Sequence, residues 1–195
     1  MKYLILIVAL FAAQASASEY TYSVGGSKAK TSYCWYGASE ACFDYKMDIA
    51  RFEVQHESGF AVRVAKAMNK PTSTQTTITN QVFKINFDSY KEVEFIYKHN
   101  LNNSLVVYAG LGYYFQTVPI YSFDDVLIKY DEDNDNGYLI GMMYNVSDKL
   151  SIDFMVKQTS AIGKAGGSCN SQCIVDWEAK GSTIRQIGLG FMFKF

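Results

Sequence analysis

Two histidines, His56 and His99, are the natural candidates for a general base near neutral pH, and Ser104 lies close enough to His99 to be weighed as a nucleophile. Four cysteines, Cys34, Cys42, Cys169 and Cys173, fall in two close pairs. Their spacing is wider than Cys-x-x-Cys and neither histidine lies near either pair in sequence, so disulfides in an oxidising compartment suit them better than a zinc site. The acidic run Asp131-Glu132-Asp133-Asn134-Asp135-Asn136-Gly137 has the composition of a calcium loop but the wrong register. With Asp131 as position one, Gly137 is seventh rather than sixth, and Met142 occupies the place of the bidentate Glu. It reads as a solvated loop. Asn102-Asn103-Ser104 and Asn145-Val146-Ser147 match the glycosylation triplet, yet Asn and Ser are also ordinary turn formers. No catalytic, cofactor or metal site is expected from these residues.

The elements that must position them repeat with a period of two. Ile187, Leu189, Phe191, Phe193 and Phe195 alternate with Gln186, Gly188, Gly190, Met192 and Lys194, which puts an apolar row and a small or polar row on opposite faces of one strand. The same alternation predicts strands near 19–29, 44–56, 59–69, 81–98, 104–117, 137–146, 149–159 and 182–195. Glu57-Ser58, Asn100-Leu101-Asn102-Asn103 and Ser147-Asp148 form short connections, whereas 30–43, 70–80, 118–136 and 160–181 are long and polar. Alternating short and long connections gather the long ones at one end of an up-and-down sheet, as in an outer-membrane barrel with periplasmic turns and extracellular loops. His56, His99 and both Asn triplets then sit at the short-turn end.

A soluble sandwich or lipocalin-like barrel is the competing architecture, and the second row of each strand decides against it. That row holds Gly110, Gly112, Gly141, Gly188 and Gly190 together with Leu139, Met143, Met155 and Met192, where a soluble barrel would present uniformly polar side chains to water. It also holds Arg51, Glu53, Arg63, Glu92, Glu94, Lys98, Asp153, Lys157 and Lys194, with both signs present. Charges of both signs can pair inside a narrow lumen that excludes bulk water. Eight strands leave an interior filled by side chains, so a large open pore is not expected. On the apolar row, Tyr20, Tyr22, Tyr97, Tyr113, Tyr138 and Tyr144 are candidates for interfacial girdles.

Composition and the N-terminus agree with an exported β-protein. A chain that is 49% hydrophobic and 15% aromatic with 2 Pro is too apolar to be a disordered tail. Its 18 Lys+Arg against 19 Asp+Glu leave no electrostatic footprint for nucleic acid. The only long apolar run, 4–13, is far short of the roughly 20 residues of a spanning helix. Preceded by Lys2 and followed by Ala15-Ser16-Ala17, it reads as a signal peptide over 1–17, which leaves one barrel domain over 18–195.

The terminal Phe191-Met192-Phe193-Lys194-Phe195 and the strand Val107-Tyr108-Ala109-Gly110-Leu111-Gly112-Tyr113-Tyr114-Phe115 resemble small eight-stranded outer-membrane barrels of the OmpA, OmpX and opacity-protein type. The resemblance spans the whole mature chain. It implies an all-β, antiparallel up-and-down transmembrane barrel, a monomer of the outer membrane in contact with lipid and lipopolysaccharide. It also implies that Phe191, Phe193 and Phe195 form the signal read by the outer-membrane assembly machinery, and that the extracellular loops serve surface interaction or envelope support. Some relatives modify lipid A; that is the alternative reading, and it lacks a histidine at the long-loop end. The expected disulfides are Cys34–Cys42 and Cys169–Cys173, since local closure costs less chain entropy. Cross-loop bridges are the competing connectivity, because the last strand of a closed barrel pairs with the first.

Overall fold

The computed structural model describes residues 19–36, 40–76, 82–86, 89–121, 127–161 and 181–195. Ten strands run β1 Tyr20–Tyr36, β2 Glu40–His56, β3 Phe60–Ala67, β4 Thr72–Thr76, β5 Val82–Asn86, β6 Ser89–Asn100, β7 Leu105–Tyr121, β8 Leu127–Asn145, β9 Leu150–Ala161 and β10 Gly181–Lys194. Eight of them close a barrel in the order β1-β2-β3-β6-β7-β8-β9-β10, and antiparallel pairing of β10 with β1 seals it. The remaining two, β4 and β5, form a hairpin that joins β7 above the barrel through Lys84–Tyr121 and Ile85–Ile120.

The registers set the geometry. From Tyr22, partners lead through Val54, Val62, Phe95, Leu111, Tyr138, Gln158 and Arg185 back to β1 at Ser32, ten residues further along. With strands about 4.8 Å apart and about 3.3 Å per residue, this shear tilts them about 40° from the axis. The outward apolar residues of β10, from Ile187 to Phe195, then cover about 20 Å of height, close to the lipid-facing band of an outer-membrane barrel.

Alternation reports a strand's two faces, and the faces lie as the pattern requires. Outward residues such as Phe60, Phe95, Leu111, Ile140 and Leu189 are 57–69% exposed, while inward Glu53, Arg63, Met155 and Met192 are fully buried. Three turns close one end, together with the chain's last residue: the Phe195 amide donates to the Tyr22 carbonyl at 3.0 Å. In the first turn Gly59 adopts φ +94°, a left-handed conformation that a side chain would strain.

Element boundaries differ from the sequence expectation in three places. The expected strand 81–98 is two strands, β5 and β6, with only the second in the barrel wall. The expected loop 70–80 contains β4. The expected long loops 30–43 and 118–136 are largely strand, because β1–β2 and β7–β8 continue as paired ribbons well past the apolar band. The acidic run is therefore ladder backbone, with Asp131 opposite Val118 and Asp135 opposite Tyr114, rather than a solvated loop. Once two neighbouring strands stay in register, their backbone groups satisfy each other whatever the side chains are. The signal-peptide expectation over 1–17 lies outside the described residues.

Candidate functional site

The lumen gathers most of the expected charges. Arg51 on β2 donates to Asp153 on β9 at 2.6 Å, and Tyr108 on β7 donates to the other Asp153 oxygen at 2.6 Å. Arg63 on β3 meets Glu53 at 2.9 Å and lies 3.6 Å from Glu94, with its guanidinium 5.1 Å above the Tyr108 ring. Lys98 pairs with the second Glu53 oxygen. Lys157 reaches Glu92 at 2.6 Å and Glu94 at 2.5 Å. Lys194 is placed apart from these pairs, near the short-turn end, and donates to Asn145 at 2.9 Å. Four cations, Arg51, Arg63, Lys98 and Lys157, thus face four carboxylates, Glu53, Glu92, Glu94 and Asp153, and all eight are buried. An isolated charge in such a place would be strongly disfavoured; matching numbers make the arrangement tenable.

Sequence reasoning missed the tyrosines of this network. Tyr90 donates to Glu92 at 2.7 Å and Tyr114 to Glu94 at 3.4 Å, so with Tyr108 three phenols each add a donor to one of the carboxylates Glu92, Glu94 and Asp153. Glycines on the same row make room for them. A Cβ at Gly141 would overlap the Tyr108 ring, and one at Gly112 would meet the Tyr114 ring. The signal was present in the sequence as tyrosine and glycine sharing an inward row. Below and beside the charges, Ala61, Ile96, Val106, Leu139, Met143, Met155 and Met192 fill the remaining space with apolar bulk.

At the short-turn end, His56 Nδ1 lies 2.7 Å from Ser58 Oγ and His56 Nε2 lies 3.2 Å from Glu19 Oε2. The order acid, imidazole, hydroxyl is that of a nucleophilic triad. Its surroundings are those of a turn: the Ser58 amide donates to the same Nδ1 at 3.1 Å, and the Gly59 amide is committed to the His56 carbonyl at 3.0 Å. Nδ1 is thus shared between two donors, and the nearest backbone donor for an oxyanion is already used. Among the described residues, no three His, Cys, Asp or Glu side chains converge as metal ligands would.

The cysteine pairs fall partly within the described strands. Cys34 is buried on β1 and stands directly opposite Cys42 of β2 in register. Cys169 and Cys173 lie outside the described residues. Phe191, Phe193 and Phe195 form the outward row of β10's end; the first two rings pack edge to face with centroids 5.5 Å apart.

At the edge of the apolar band away from the short turns, the outward row of the described residues becomes charged on one side only. Lys28, Lys30, Lys46, Lys66, Lys91 and Arg185 are exposed there on β1, β2, β3, β6 and β10, with Asp44 and Asp48 among them. Lys30 is engaged by Asp44 at 2.8 Å, and Ser32 donates to the same carboxyl at 2.5 Å. The Lys30 contact first, and the Ser32 hydroxyl second, hold the Asp44 carboxyl below its usual range. On β7, β8 and β9 the same edge is aromatic or neutral, with Tyr113, Phe115, Asn136, Tyr138 and Gln158.

No family model and no curated protein matches the sequence. Solved structures match the fold. Ail, the attachment invasion locus protein of Yersinia pestis, in complex with the heparin analogue sucrose octasulfate, is 11% identical, with a TM-score of 0.59 over 90% of this chain and 99% of that one. Neisserial surface protein A is 13% identical, with a TM-score of 0.54 over 91% and 98%. OprG of Pseudomonas aeruginosa, an outer membrane protein, is 13% identical, with a TM-score of 0.52 over 91% and 96%. At such identity the likeness is one of architecture.

Proposed function

We propose that this chain, whose fold is that of the small eight-stranded outer-membrane barrels, is a sealed monomeric envelope protein rather than an enzyme. The ribbons and connections beyond its extracellular edge serve surface interaction or envelope support. One observation carries the sealed lumen: the four buried cations are matched by four buried carboxylates, with phenols and methionines occupying the space between them. In planar bilayers the folded protein is expected to give no stable large conductance; a persistent wide channel would contradict the reading.

Export by the 1–17 segment and recognition of Phe191, Phe193 and Phe195 by the assembly machinery belong to the same proposal. Replacing Phe195 with Ser should lower the assembled fraction in outer membranes. Unchanged assembly would leave the terminal aromatic row without that role. The direct opposition of Cys34 and Cys42 supports a Cys34–Cys42 disulfide, since cross-strand partners lie within the Cα separation a disulfide spans. Non-reducing proteolysis with mass spectrometry decides it: a peptide joining either cysteine to Cys169 or Cys173 refutes local pairing.

The ligand class for the extracellular end is a host surface, lipopolysaccharide or another envelope component. Ail, solved with a heparin analogue, is a precedent for a polyanion on a barrel of this architecture. This chain's edge carries an excess of cations that suits such a ligand. Deletion of the β4–β5 hairpin and, separately, of the 122–126 connection, followed by binding to cells, matrix proteins and lipopolysaccharide, tests it. Binding that survives both deletions unchanged removes these segments from the function.

A further inference from the structure

We infer that the barrel wall holds a seat for one phosphorylated, acylated glycolipid of the outer leaflet, its phosphate between Lys66 and Lys91 and one acyl chain in the groove over Gly26 and Ala50. The inference rests on the membrane-barrel reading. Lys66 on β3 and Lys91 on β6 are directly opposite each other in register and both exposed on the outward face. Like charges at such positions destabilise a sheet. Among the described residues neither forms an ion pair; their neighbours on the face are Ala50, Val64, Met68, Val93 and Phe115, and the nearest acid on that face is Asp48, diagonal to Lys66 on β2. Lys30, by contrast, is already occupied by Asp44. An anion between Lys66 and Lys91 converts the repulsion into two charge-assisted contacts.

Next to this pair the wall is hollow. Gly26 and Ala50 are outward partners in register, and Ala50 is in turn the partner of Lys66. They floor a groove of about 470 Å³ walled by Leu189, Phe191 and Met68, with Lys28 at its upper rim. The wall itself does not require the missing side chain. A Cβ at Gly26 would find its nearest neighbours at 3.4 Å and 3.8 Å, whereas one at the preceding Gly25 would overlap the Phe191 carbonyl. The groove is therefore space left open toward lipid. Its apolar lining suits a hydrocarbon chain, and the lysines stand at the extracellular edge of the band, where an outer-leaflet head group lies. Asp48, opposite Lys28 and beside Met68, lines the same rim; its carboxylate repels a phosphate from the mouth of the groove and favours a head group displaced toward Lys91.

Native mass spectrometry of the folded protein in a neutral sugar detergent, with bis-phosphorylated lipid A as the probe, tests the seat. The wild type is expected to retain one lipid A per barrel. The Lys66→Gln/Lys91→Gln pair, and independently Gly26→Leu, should each lower retention by about tenfold or more. Lys149→Gln at the opposite end should leave it unchanged. Phosphate-free lipid A should be retained no better than by the lysine variant. Retention unaffected by either variant, or equal for the phosphate-free lipid, overturns the inference. A shift in gel mobility on boiling confirms that each variant is folded, and Ala50→Leu obstructs the same floor if Gly26→Leu does not fold. A wild type that never forms a heat-shifted barrel sinks the membrane-barrel reading instead, so the two failures are distinguishable.

Discussion

The lumen and the rim opposite the short turns handle charge in opposite ways. Inside, among the described residues, four buried cations face four buried carboxylates and are tied to them and to phenols. Among the described residues of the rim, cations outnumber acids and are exposed, and Lys66 faces Lys91 directly across the strand pair. The lesson is dielectric. A charge removed from water must be matched where it stands, while one at a membrane edge can stay unmatched because water, counterions or lipid phosphates complete it.

The largest effect should follow from breaking a match inside. Glu53→Gln removes the carboxylate shared by Arg63 and Lys98 and is expected to destabilise the barrel by about 3–5 kcal/mol, read as a lower urea midpoint for loss of the heat-shifted band. A midpoint equal to that of the wild type would show that the buried pairs are not holding the lumen. Gly112→Val, whose Cβ would overlap the Tyr114 ring and force it away from Glu94, should cost about 1–3 kcal/mol. Combined with Tyr114→Ala, its effect should be clearly less than additive, because the second change removes the ring that is displaced; additive losses would separate the glycine from the tyrosine. The rim should respond least. Lys30→Ala breaks the exposed pair with Asp44 and is expected to shift stability by less than about 1 kcal/mol, an effect erased by salt. A loss as large as that of Glu53→Gln would erase the contrast between the two regions.

Much of this contrast is visible in the residue order. Arg51, Glu53 and Arg63 occupy the inward row of β2 and β3 as their alternation with Phe52, Val54, Val62 and Val64 requires. The triad-like contact of Glu19, His56 and Ser58 was not visible, because Glu19 reaches His56 only through the pairing of β1 with β2. Likewise, Val82, Lys84 and Asn86 alternate with Phe83 and Ile85 as in a membrane strand, yet β5 lies in a hairpin above the wall. A period of two reports that a segment has two different faces, and it is silent on where along the barrel axis the segment lies.

The sequence alone determined which side chains face lipid and which face the lumen, since period-two alternation is a local property of an extended chain and every wall strand carries it. It also determined that the interior would hold both signs of charge. Only the tertiary structure decided which charge meets which. The shear of ten residues shifts each strand against its neighbours around the whole circuit, and it brings Arg51 of β2 to Asp153 of β9 and Lys157 of β9 to Glu92 of β6. The same closure decided that Lys66 and Lys91, 25 positions apart in the chain, stand side by side at the membrane's edge. Shear is a property of the closed sheet, summed over eight registers, and no single strand's residues contain it.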